Sequence, residues 1–335
     1  MPAELPTSTE LQAIKNLKQI AREEFILPGT AVCGGCGGLE ALQLAAKVLG
    51  PKTVFVNAAG CFTLLAVFPY TPFKGSWLYT TMGSAAAGAQ GVRDALDVLT
   101  ARGKMSAEDD VEVVVVAGDG STYDMALSAT SGAIRRGLDF WYFCYDNESY
   151  GNTGMQMSSA TPYGVRTQTT PVSDSTRIGT EHGKKDLFAI WLAHRPAYLA
   201  TVSPRYPVDL TNKFLKAKTR RGPKLFIAQA PCLTGWLYDS EQTAEYAHLA
   251  VETGIFALKE AVEGVVTHTY IPHRRRPVED YLQGQGRYRH LFEPTRNTAA
   301  IARIQEQVET YWSEVAETAG VGQRESRPPR GDRKV

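Results

Sequence analysis

Short apolar runs alternate with helix-length stretches along most of the chain, and this alternation limits the possible folds more than any other feature. The runs predicted to be strands lie at 53–56, 77–80, 111–116, 140–145, 198–202 and 224–228. The stretches predicted to be helices lie at 39–48, 85–101 and 125–136, with another beginning at Pro207. Strands joined by crossover helices run parallel, and the helices cover both faces of the sheet. The sequence therefore predicts an α/β fold with a doubly wound, mostly parallel sheet of about six strands.

The two ends of the chain are predicted to be helical outside this sheet. Thr7 and Glu10 form a capping box, and apolar residues then recur at positions 11, 14, 17 and 21, so an amphipathic helix is expected within residues 1–24. A C-terminal helix is predicted within 296–319, and the Pro-, Arg- and Gly-rich residues 320–335 are expected to be a disordered tail. Residues 25–295 are predicted to form one domain, with a long functional loop at 149–180.

The charge balance excludes two classes of partner. Lys and Arg number 36 against 35 Asp and Glu, which leaves a formal net charge of +1. No overall field therefore draws the chain to nucleic acid or to an anionic membrane. The first residues lack the pattern of a secretory signal, and no uninterrupted apolar run approaches about eighteen residues. A cytoplasmic location is expected.

An Asp between two glycines ends the most apolar of the predicted strands. Gly118, Asp119 and Gly120 follow the run at 111–116, and Asn147 follows the next predicted strand. Ligands of open α/β sheets bind at the carboxyl ends of the strands, where carboxylate and amide oxygens suit Mg²⁺ beside a phosphate. Each motif alone could be an ordinary turn or strand end. In this order and at this spacing, the pair resembles the signature of enzymes that bind thiamine diphosphate.

Four of the five cysteines lie in predicted loops at the ends of elements. Cys33 and Cys36 form a CxxC motif before a helix, while Cys61 and Cys232 each follow a predicted strand. Such loops can converge on one edge of a sheet, where four thiolates could bind a [4Fe–4S] cluster. The spacing leaves a redox dithiol and a structural zinc site open as alternatives. The fifth, Cys144, lies inside an apolar run and is expected to be a small buried hydrophobe.

Six segments taken together resemble a known family. They are residues 28–38, 118–120, 145–154, 158–162, 231–236 and 278–291. Over roughly residues 25 to 295, the chain is similar to the β subunit of pyruvate:ferredoxin oxidoreductase and its relatives, the 2-oxoacid:ferredoxin oxidoreductases. The resemblance implies that residues 25–295 are a thiamine-diphosphate-binding domain that also carries the loops of an iron–sulfur cluster.

The resemblance also implies roles for particular residues. Asp119, the Asn147 side chain and the Ser149 carbonyl are implied to bind Mg²⁺, and Asn152 is implied to lie beside the reacting carbon as the catalytic residue. The residues implied to contact thiamine diphosphate are Gly118, Asp119, Gly120, Ser121, Asn147, Ser149, Tyr150, Asn152, Thr153 and Gly154. The implied ligands of the [4Fe–4S] cluster are Cys33, Cys36, Cys61 and Cys232.

The activity implied by the resemblance is oxidative decarboxylation of a 2-oxoacid, with pyruvate as the first expectation. Electrons would pass singly to the [4Fe–4S] cluster and on to ferredoxin or flavodoxin, and the acyl group would pass to coenzyme A. The implied partners are an α subunit with the pyrimidine-side domain, and γ and δ ferredoxin-like subunits or equivalent fused domains. The alternatives are another acid (branched-chain, aryl, 2-oxoglutarate or oxalate) or a non-catalytic thiamine- or zinc-binding interaction subunit.

Three segments depart from the family pattern. Residues 30–32 stand where the family often has His or Arg, Ser121 stands where it has a second Gly, and residues 80–84 replace a Phe-Glu-Asn-like segment. Loops around the reacting carbon contact the substrate side chain. These departures therefore bear on which acid is used.

Overall fold

The computed structural model describes residues 12–106, 109 and 111–325. In this part of the chain, eight strands form a single sheet in the order β2-β1-β3-β4-β6-β5-β7-β8. The strands are β1 (Thr53–Ala58), β2 (Ser76–Thr80), β3 (Glu112–Gly118), β4 (Trp141–Asp146), β5 (Tyr198–Val202), β6 (Lys224–Gln229), β7 (Leu258–Val262) and β8 (Val265–Tyr270). β1 to β6 are mutually parallel, and β7 and β8 join antiparallel at one edge.

Helices cover both faces of this sheet. They are α1 (Gly37–Leu49), α2 (Ala85–Ala101), α3 (Leu127–Arg135), α4 (Leu187–Leu192), α5 (Pro207–Lys218), α6 (Leu233–Trp236), α7 (Thr243–Glu252), α8 (Val278–Leu282) and α9 (Thr298–Glu325). One buried cluster packs α1 and α5 against one face, a second packs α2, α3 and α4 against the other, and a third lies among α6 to α9. The predicted doubly wound, mostly parallel architecture is confirmed.

The sheet has two more strands than the six or so that the sequence indicates. β7 and β8 are joined by Glu263 and Gly264, both with positive φ (54° and 83°), as a tight two-residue hairpin requires. The usual signal for such a turn is Asn-Gly or Asp-Gly, and Glu-Gly does not give it. β8 is also half exposed, so it lacks the apolar run that marks a buried strand.

The two ends of the chain differ from their predictions. The N-terminal helix was expected over positions 11 to 21, but the described residues 12–24 contain only a 3-10 turn at Leu17–Gln19. The backbone of Ile14 instead makes two hydrogen bonds to the Asn212 side chain, at 2.8 and 3.0 Å, which hold the segment extended along α5. The capping box at Thr7 and Glu10 lies outside the described residues. At the other end, α9 continues to Glu325 through part of the expected tail, and residues 326–335 lie outside the described range.

None of the helices in the described part of the chain is long and apolar enough to cross a membrane.

The centre of the sheet supplies a test of the core. Phe226 on β6 is fully buried and packs against the rings of Phe214, Trp141 and Tyr198, with centroids 3.9, 5.9 and 5.6 Å away. Phe226→Ala is expected to lower the free energy of unfolding by about 3–5 kcal/mol, because the cavity lies between rings that cannot close over it. Denaturant titration measures this loss. Val265→Ala on the exposed strand β8 is the control, with an expected change within about 0.5 kcal/mol, and similar losses in both variants would contradict the assignment of the core.

Candidate functional site

The carboxyl ends of β3 and β4 bring three oxygen atoms together. Asp119 follows β3, and Asn147 and Ser149 follow β4, its neighbour in the sheet. The amide oxygen of Asn147 lies 2.8 Å from Asp119 Oδ1 and 2.7 Å from the carbonyl oxygen of Ser149. Rotating the amide would convert both contacts into hydrogen bonds. A divalent cation would instead satisfy all three oxygens in the orientation present.

The spacing of these oxygens fits a cation of the size of Mg²⁺. Neighbouring ligands in an octahedron at about 2.05 Å from Mg²⁺ stand about 2.9 Å apart, close to the two separations seen. The second carboxylate oxygen of Asp119 accepts a hydrogen bond from the Ser158 hydroxyl, and the backbone N–H of Asn147 donates to Oδ1 at 3.3 Å. Ser158 is held by Thr161, whose hydroxyl accepts from the Ser158 N–H at 3.0 Å. The carboxylate is therefore fixed in one orientation.

The negative charge of Asp119 is unfavourable in its buried position unless a metal cation lies beside it. Complete burial, with the nearby carboxylate of Asp146 adding to it, raises the pKa of Asp119 well above its ordinary value. A buried carboxylate without a full counter-charge is costly, and binding a divalent cation removes that cost. The charge distribution therefore favours the same kind of ligand as the oxygen spacing.

Beside these oxygens is a small cavity lined by glycines and by the loop after β4. A side chain at Gly120 would meet the Tyr150 ring at 2.3 Å, and one at Gly118 would meet Tyr145 at 3.0 Å. The Tyr150 hydroxyl donates to the Gly120 carbonyl at 3.1 Å and fixes the ring there. The cavity has a volume of about 160 Å³. It is lined by Ala59, Gly60, Cys61, Thr63, Tyr79, Met82, Gly118, Asp119, Gly120, Ser121, Tyr145, Asn147, Ser149, Tyr150, Gly151, Asn152 and Thr153.

The Gly-Asp-Gly motif leads into an unusual type of helical turn. Gly120–Met125 forms a π-helical turn that leads into α3, a conformation often found at functional sites. Its first N–H groups have no partner within the turn and could bind a phosphate. The Ser121 hydroxyl donates to the carbonyl of Met82, so the motif is tied to the loop before α2.

Nine of the ten residues implied to contact the cofactor line this cavity, and Gly154 does not. Gly154 instead takes a positive φ of 108° and closes a turn through a hydrogen bond from its N–H to the Gly151 carbonyl at 3.2 Å. This turn exposes Asn152 and Thr153 at the mouth of the cavity. It allows them to contact a molecule that enters from solvent.

The four loop cysteines come together on the neighbouring side of the same sheet edge. Cys36 precedes α1 and donates its N–H to the Cys33 carbonyl at 3.2 Å, while the next N–H, of Gly37, donates to the Pro231 carbonyl beside Cys232. The Gly37 backbone lies so close to Pro231 that a side chain there would meet it at 2.6 Å. Cys61 begins the 3-10 turn at Cys61–Leu65 after β1. The fifth cysteine, Cys144, is fully buried on β4, as predicted.

The thiols of these four residues interact electrostatically in every pairing. Burial raises the pKa of Cys36 to about 11 and that of Cys61 to about 12, and neighbouring thiols of the group raise both further. The pKa of Cys232 is raised as well, again chiefly by burial. Without a metal, these three thiols are protonated at neutral pH. Metal binding there must displace protons.

Comparison with known proteins identifies the family. The thiamine pyrophosphate enzyme family, through its C-terminal TPP binding domain, matches residues 58–228. Pyruvate synthase subunit PorB of Methanothermobacter thermautotrophicus is 43% identical over 298 residues, which cover 89% of this chain and 99% of that protein. Ketoisovalerate oxidoreductase subunit VorB of Pyrococcus abyssi is 38% identical and covers 83% of this chain and 89% of that protein.

The chain belongs to the family of 2-oxoacid:ferredoxin oxidoreductase β subunits. It is therefore a subunit of an oxidoreductase that acts with partner subunits, and its central part is a thiamine diphosphate binding domain. Among solved structures, 2-oxoglutarate:ferredoxin oxidoreductase from Magnetococcus marinus matches at a TM-score of 0.49 and 21% identity, covering 66% of this chain and 77% of that chain.

Within this β subunit, Asn147 touches both groups of residues. Its amide nitrogen lies 3.7 Å from the Cys61 sulfur, on the side opposite the three oxygens. Its backbone carbonyl accepts a hydrogen bond at 3.0 Å from the indole of Trp236, which lies four residues after Cys232. The three oxygens and the four loop cysteines are therefore adjacent, and Asn147, which supplies one of the oxygens, also contacts Cys61.

Sequence reasoning missed several residues that hold this site in place. Ser158 lay within a segment that carried the family resemblance, so its contact with Asp119 could have been proposed. Glu148 and Arg287 also lay within such segments, but charged side chains are ordinarily solvated, and both are buried here. Trp236 gave the signal of an ordinary core residue, and only the structure shows its contact with Asn147.

Proposed function

We propose that the chain is the β subunit of an enzyme that oxidatively decarboxylates a 2-oxoacid and transfers the acyl group to coenzyme A. Pyruvate is the first candidate for the acid. Electrons would pass singly to a [4Fe–4S] cluster on this chain and on to ferredoxin or flavodoxin. The observation that carries the proposal is that Asn147 lies between the oxygens of Asp119 and Ser149 and the sulfur of Cys61. Electron transfer from one cofactor to the other requires such closeness.

Asp119, the Asn147 side chain and the Ser149 carbonyl would hold Mg²⁺ against the diphosphate. Their oxygen spacing and the burial of Asp119 support this assignment. The glycines at 118 and 120 and the start of the π-helical turn would let phosphate oxygens approach the backbone. Ser121, Tyr150, Thr153 and Gly154 would shape the rest of the diphosphate loop.

When bound, thiamine diphosphate supplies a nucleophilic carbon and an electron sink for decarboxylation, and a four-iron cluster takes up electrons one at a time. Asn152, exposed at the cavity mouth, would act as the catalytic residue by donating a hydrogen bond to the oxygen of the reacting carbonyl. Tyr79 and Met82 form an apolar part of the wall and would help to exclude water.

Cys33, Cys36, Cys61 and Cys232 would bind the cluster. Thiolates around one zinc ion stand about 3.8 Å apart, given Zn–S bonds of about 2.3 Å. Among the residues that the structure describes, no three His, Cys, Asp or Glu side chains are close enough to share one metal ion. Burial raises the pKa values of Cys36, Cys61 and Cys232, and neighbouring thiols of the group raise each of them further. One CxxC motif with two single cysteines fits a four-iron cluster better than a structural zinc site, which more usually has paired CxxC motifs.

Partner subunits would complete the site. Asp119 is the sole carboxylate among the described residues that line the cavity, and it faces the oxygens of Asn147 and Ser149. The carboxylate that activates the aminopyrimidine ring would therefore come from the pyrimidine-side domain of an α subunit. Ferredoxin-like γ and δ subunits, or equivalent fused domains, would carry electrons away from the cluster.

The choice of acid rests on the relatives. PorB proteins, named for pyruvate synthase, are 36% to 43% identical to this chain, and VorB proteins, named for ketoisovalerate oxidoreductase, are 37% to 38% identical. Pyruvate is therefore the first candidate, and a branched-chain acid is the second. Comparing the turnover rates of the two acids with one preparation and a low-potential electron acceptor distinguishes the two candidates.

Anaerobic co-purification of the chain with its partner subunits tests the proposal. We expect about four irons and matching sulfide per β chain, beyond those of ferredoxin-like partners, together with bound thiamine diphosphate. Iron, sulfide and thiamine analysis, with a visible spectrum, give the answer. Zinc in place of iron, or a preparation that does not bind thiamine diphosphate, would overturn the electron-transfer mechanism and favour an interaction subunit.

A further inference from the structure

We infer that the buried Arg287–Glu148 ion pair positions the metal-binding oxygens and connects them to the loop that carries Cys232. The inference rests on the proposed function, because it concerns the same two cofactor sites. Both residues are positioning residues and neither faces the cavity beside Asp119.

Glu148 lies between the two residues whose oxygens face Asp119. Its φ of 67° is in the left-handed region, which residues with a side chain rarely adopt. This one turn sends the Asn147 side chain and the Ser149 carbonyl toward the same point. The conformation is held by a hydrogen bond from the Thr161 hydroxyl to the Glu148 carbonyl at 2.7 Å and by one from the Glu148 N–H to Asp146 Oδ1 at 3.2 Å.

The Glu148 side chain points into the protein and meets two cations. Arg287 Nη1 lies 2.7 Å from its Oε2, and Lys184 Nζ lies 3.2 Å from its Oε1. Lys184 is shared with Asp146, at 2.7 Å, so Arg287 is the cation that belongs to Glu148 alone. Only 2% of Arg287 and 8% of Glu148 are exposed. Both charges are removed from water, so each depends on the other for its stabilisation.

Arg287 is itself fixed by three contacts besides the carboxylate. Its Nε donates to Gln285 Oε1 at 2.8 Å, and its Nη2 donates to the Tyr281 hydroxyl at 3.3 Å. Its guanidinium lies 4.1 Å from the centre of the Trp236 ring. Each of the three guanidinium nitrogens thus has one partner, and the face of the group lies over an aromatic ring, an arrangement that a lysine could not reproduce.

Trp236 completes the connection to the thiols. Its backbone N–H donates to the Cys232 carbonyl at 2.7 Å, and its indole N–H donates to the Asn147 carbonyl at 3.0 Å. A continuous set of contacts therefore runs from Cys232 through Trp236 to Asn147, and from Trp236 through Arg287 to Glu148. Loosening Arg287 is expected to loosen both residues that supply metal-facing oxygens. Outer contacts of this kind typically change metal affinity about 10- to 100-fold.

The test uses the anaerobically purified complex, stripped of thiamine diphosphate and Mg²⁺, and a double variant of this chain. Glu148→Gln with Arg287→Met removes both charges at similar volume, so no unpaired charge is left buried; the Gln285 oxygen that loses its donor is neutral, which costs far less than an unpaired charge would. The readout is the Mg²⁺ concentration that half-saturates thiamine diphosphate binding, followed by calorimetry. We expect it to rise about 10- to 100-fold, with a melting temperature close to that of the wild type.

Lys224→Met is the matched control. Lys224 is also a buried cation that pairs with a carboxylate, Asp139, and lies over an indole ring, with its Nζ 5.1 Å from the Trp141 centroid. It begins β6, at the end of the sheet opposite the site, and should leave the Mg²⁺ requirement unchanged. A double variant within threefold of the wild type, or an equal shift in Lys224→Met, would overturn the inference. Failure of the wild-type complex to bind thiamine diphosphate at all would overturn the proposed function instead.

Discussion

Asp119→Asn is expected to lower the affinity of the β subunit for Mg²⁺ by about 100-fold or more, and thiamine diphosphate binding with it. The amide has nearly the same shape as the carboxylate but carries no charge, so the proposed metal site loses the one anionic group among its three oxygens. Loss of outer contacts alone costs about 10- to 100-fold, and loss of a direct ligand costs at least as much. Calorimetric titration of thiamine diphosphate at several Mg²⁺ concentrations measures the change.

The same substitution should not damage the fold. Burial and the neighbouring Asp146 raise the pKa of Asp119, so its charged form is unfavourable in the folded, metal-free protein. A carboxyl whose pKa is higher in the folded than in the unfolded protein opposes folding at pH values above both. Removing the charge removes that opposition. The metal-free variant is therefore expected to melt at a temperature no lower than that of the metal-free wild type.

Asp139→Asn serves as the control for Asp119→Asn. Asp139 is paired with Lys224 and Arg221 before β4, at the amino ends of the strands, and these cations lower its pKa despite partial burial. Its replacement should lower stability and leave the Mg²⁺ requirement unchanged. The two variants thus have opposite expected signatures. Near-normal thiamine diphosphate binding by Asp119→Asn would contradict the assignment of the metal site.

The residues just after β3 and β4 could be placed from the sequence for a simple reason. A buried parallel strand is a long apolar run, and the residues at its carboxyl end must lie at the carboxyl edge of the sheet. Asp119 and Asn147 come directly after adjacent runs, so their proximity needs no knowledge of side-chain packing. Cys61 and Cys232 come after the runs of β1 and β6, and the structure places them on that edge for the same reason.

The supports of the site could not be placed in this way. Arg287 meets Glu148 across 139 positions of sequence, and no periodicity links them. The left-handed turn at Glu148 also runs against the preference of a residue with a side chain, so local rules predict the wrong conformation there. Similarly, the spacing of Ile14, Leu17 and Ala21 favours a helix, but the backbone there is extended and Ile14 makes hydrogen bonds to the Asn212 side chain instead. Where distant residues determine the backbone, the local pattern is a poor guide.

Cys232→Ala is expected to remove the proposed iron–sulfur cluster while thiamine diphosphate is retained at reduced occupancy. A cluster that loses one of four thiolates is no longer held on all its irons, so iron and sulfide per β chain should fall from about four toward zero. Electron delivery to an acceptor should be lost with them. Metal analysis, the visible spectrum and thiamine content of the anaerobically purified complex measure the three effects separately.

The reduced thiamine occupancy has its own structural cause. The Cys232 sulfur accepts a hydrogen bond from the Gly235 N–H at 3.4 Å and so caps α6, the short helix that carries Trp236. Without that cap, the indole of Trp236 holds the Asn147 carbonyl less firmly, and one metal-facing side chain becomes less well positioned. Cys144→Ala, which removes the thiol buried inside β4, is the matched control and should keep both cofactors. Equal loss of iron and thiamine in Cys232→Ala would mean that this residue is needed for folding, because a ligand of the cluster alone cannot empty the neighbouring site completely.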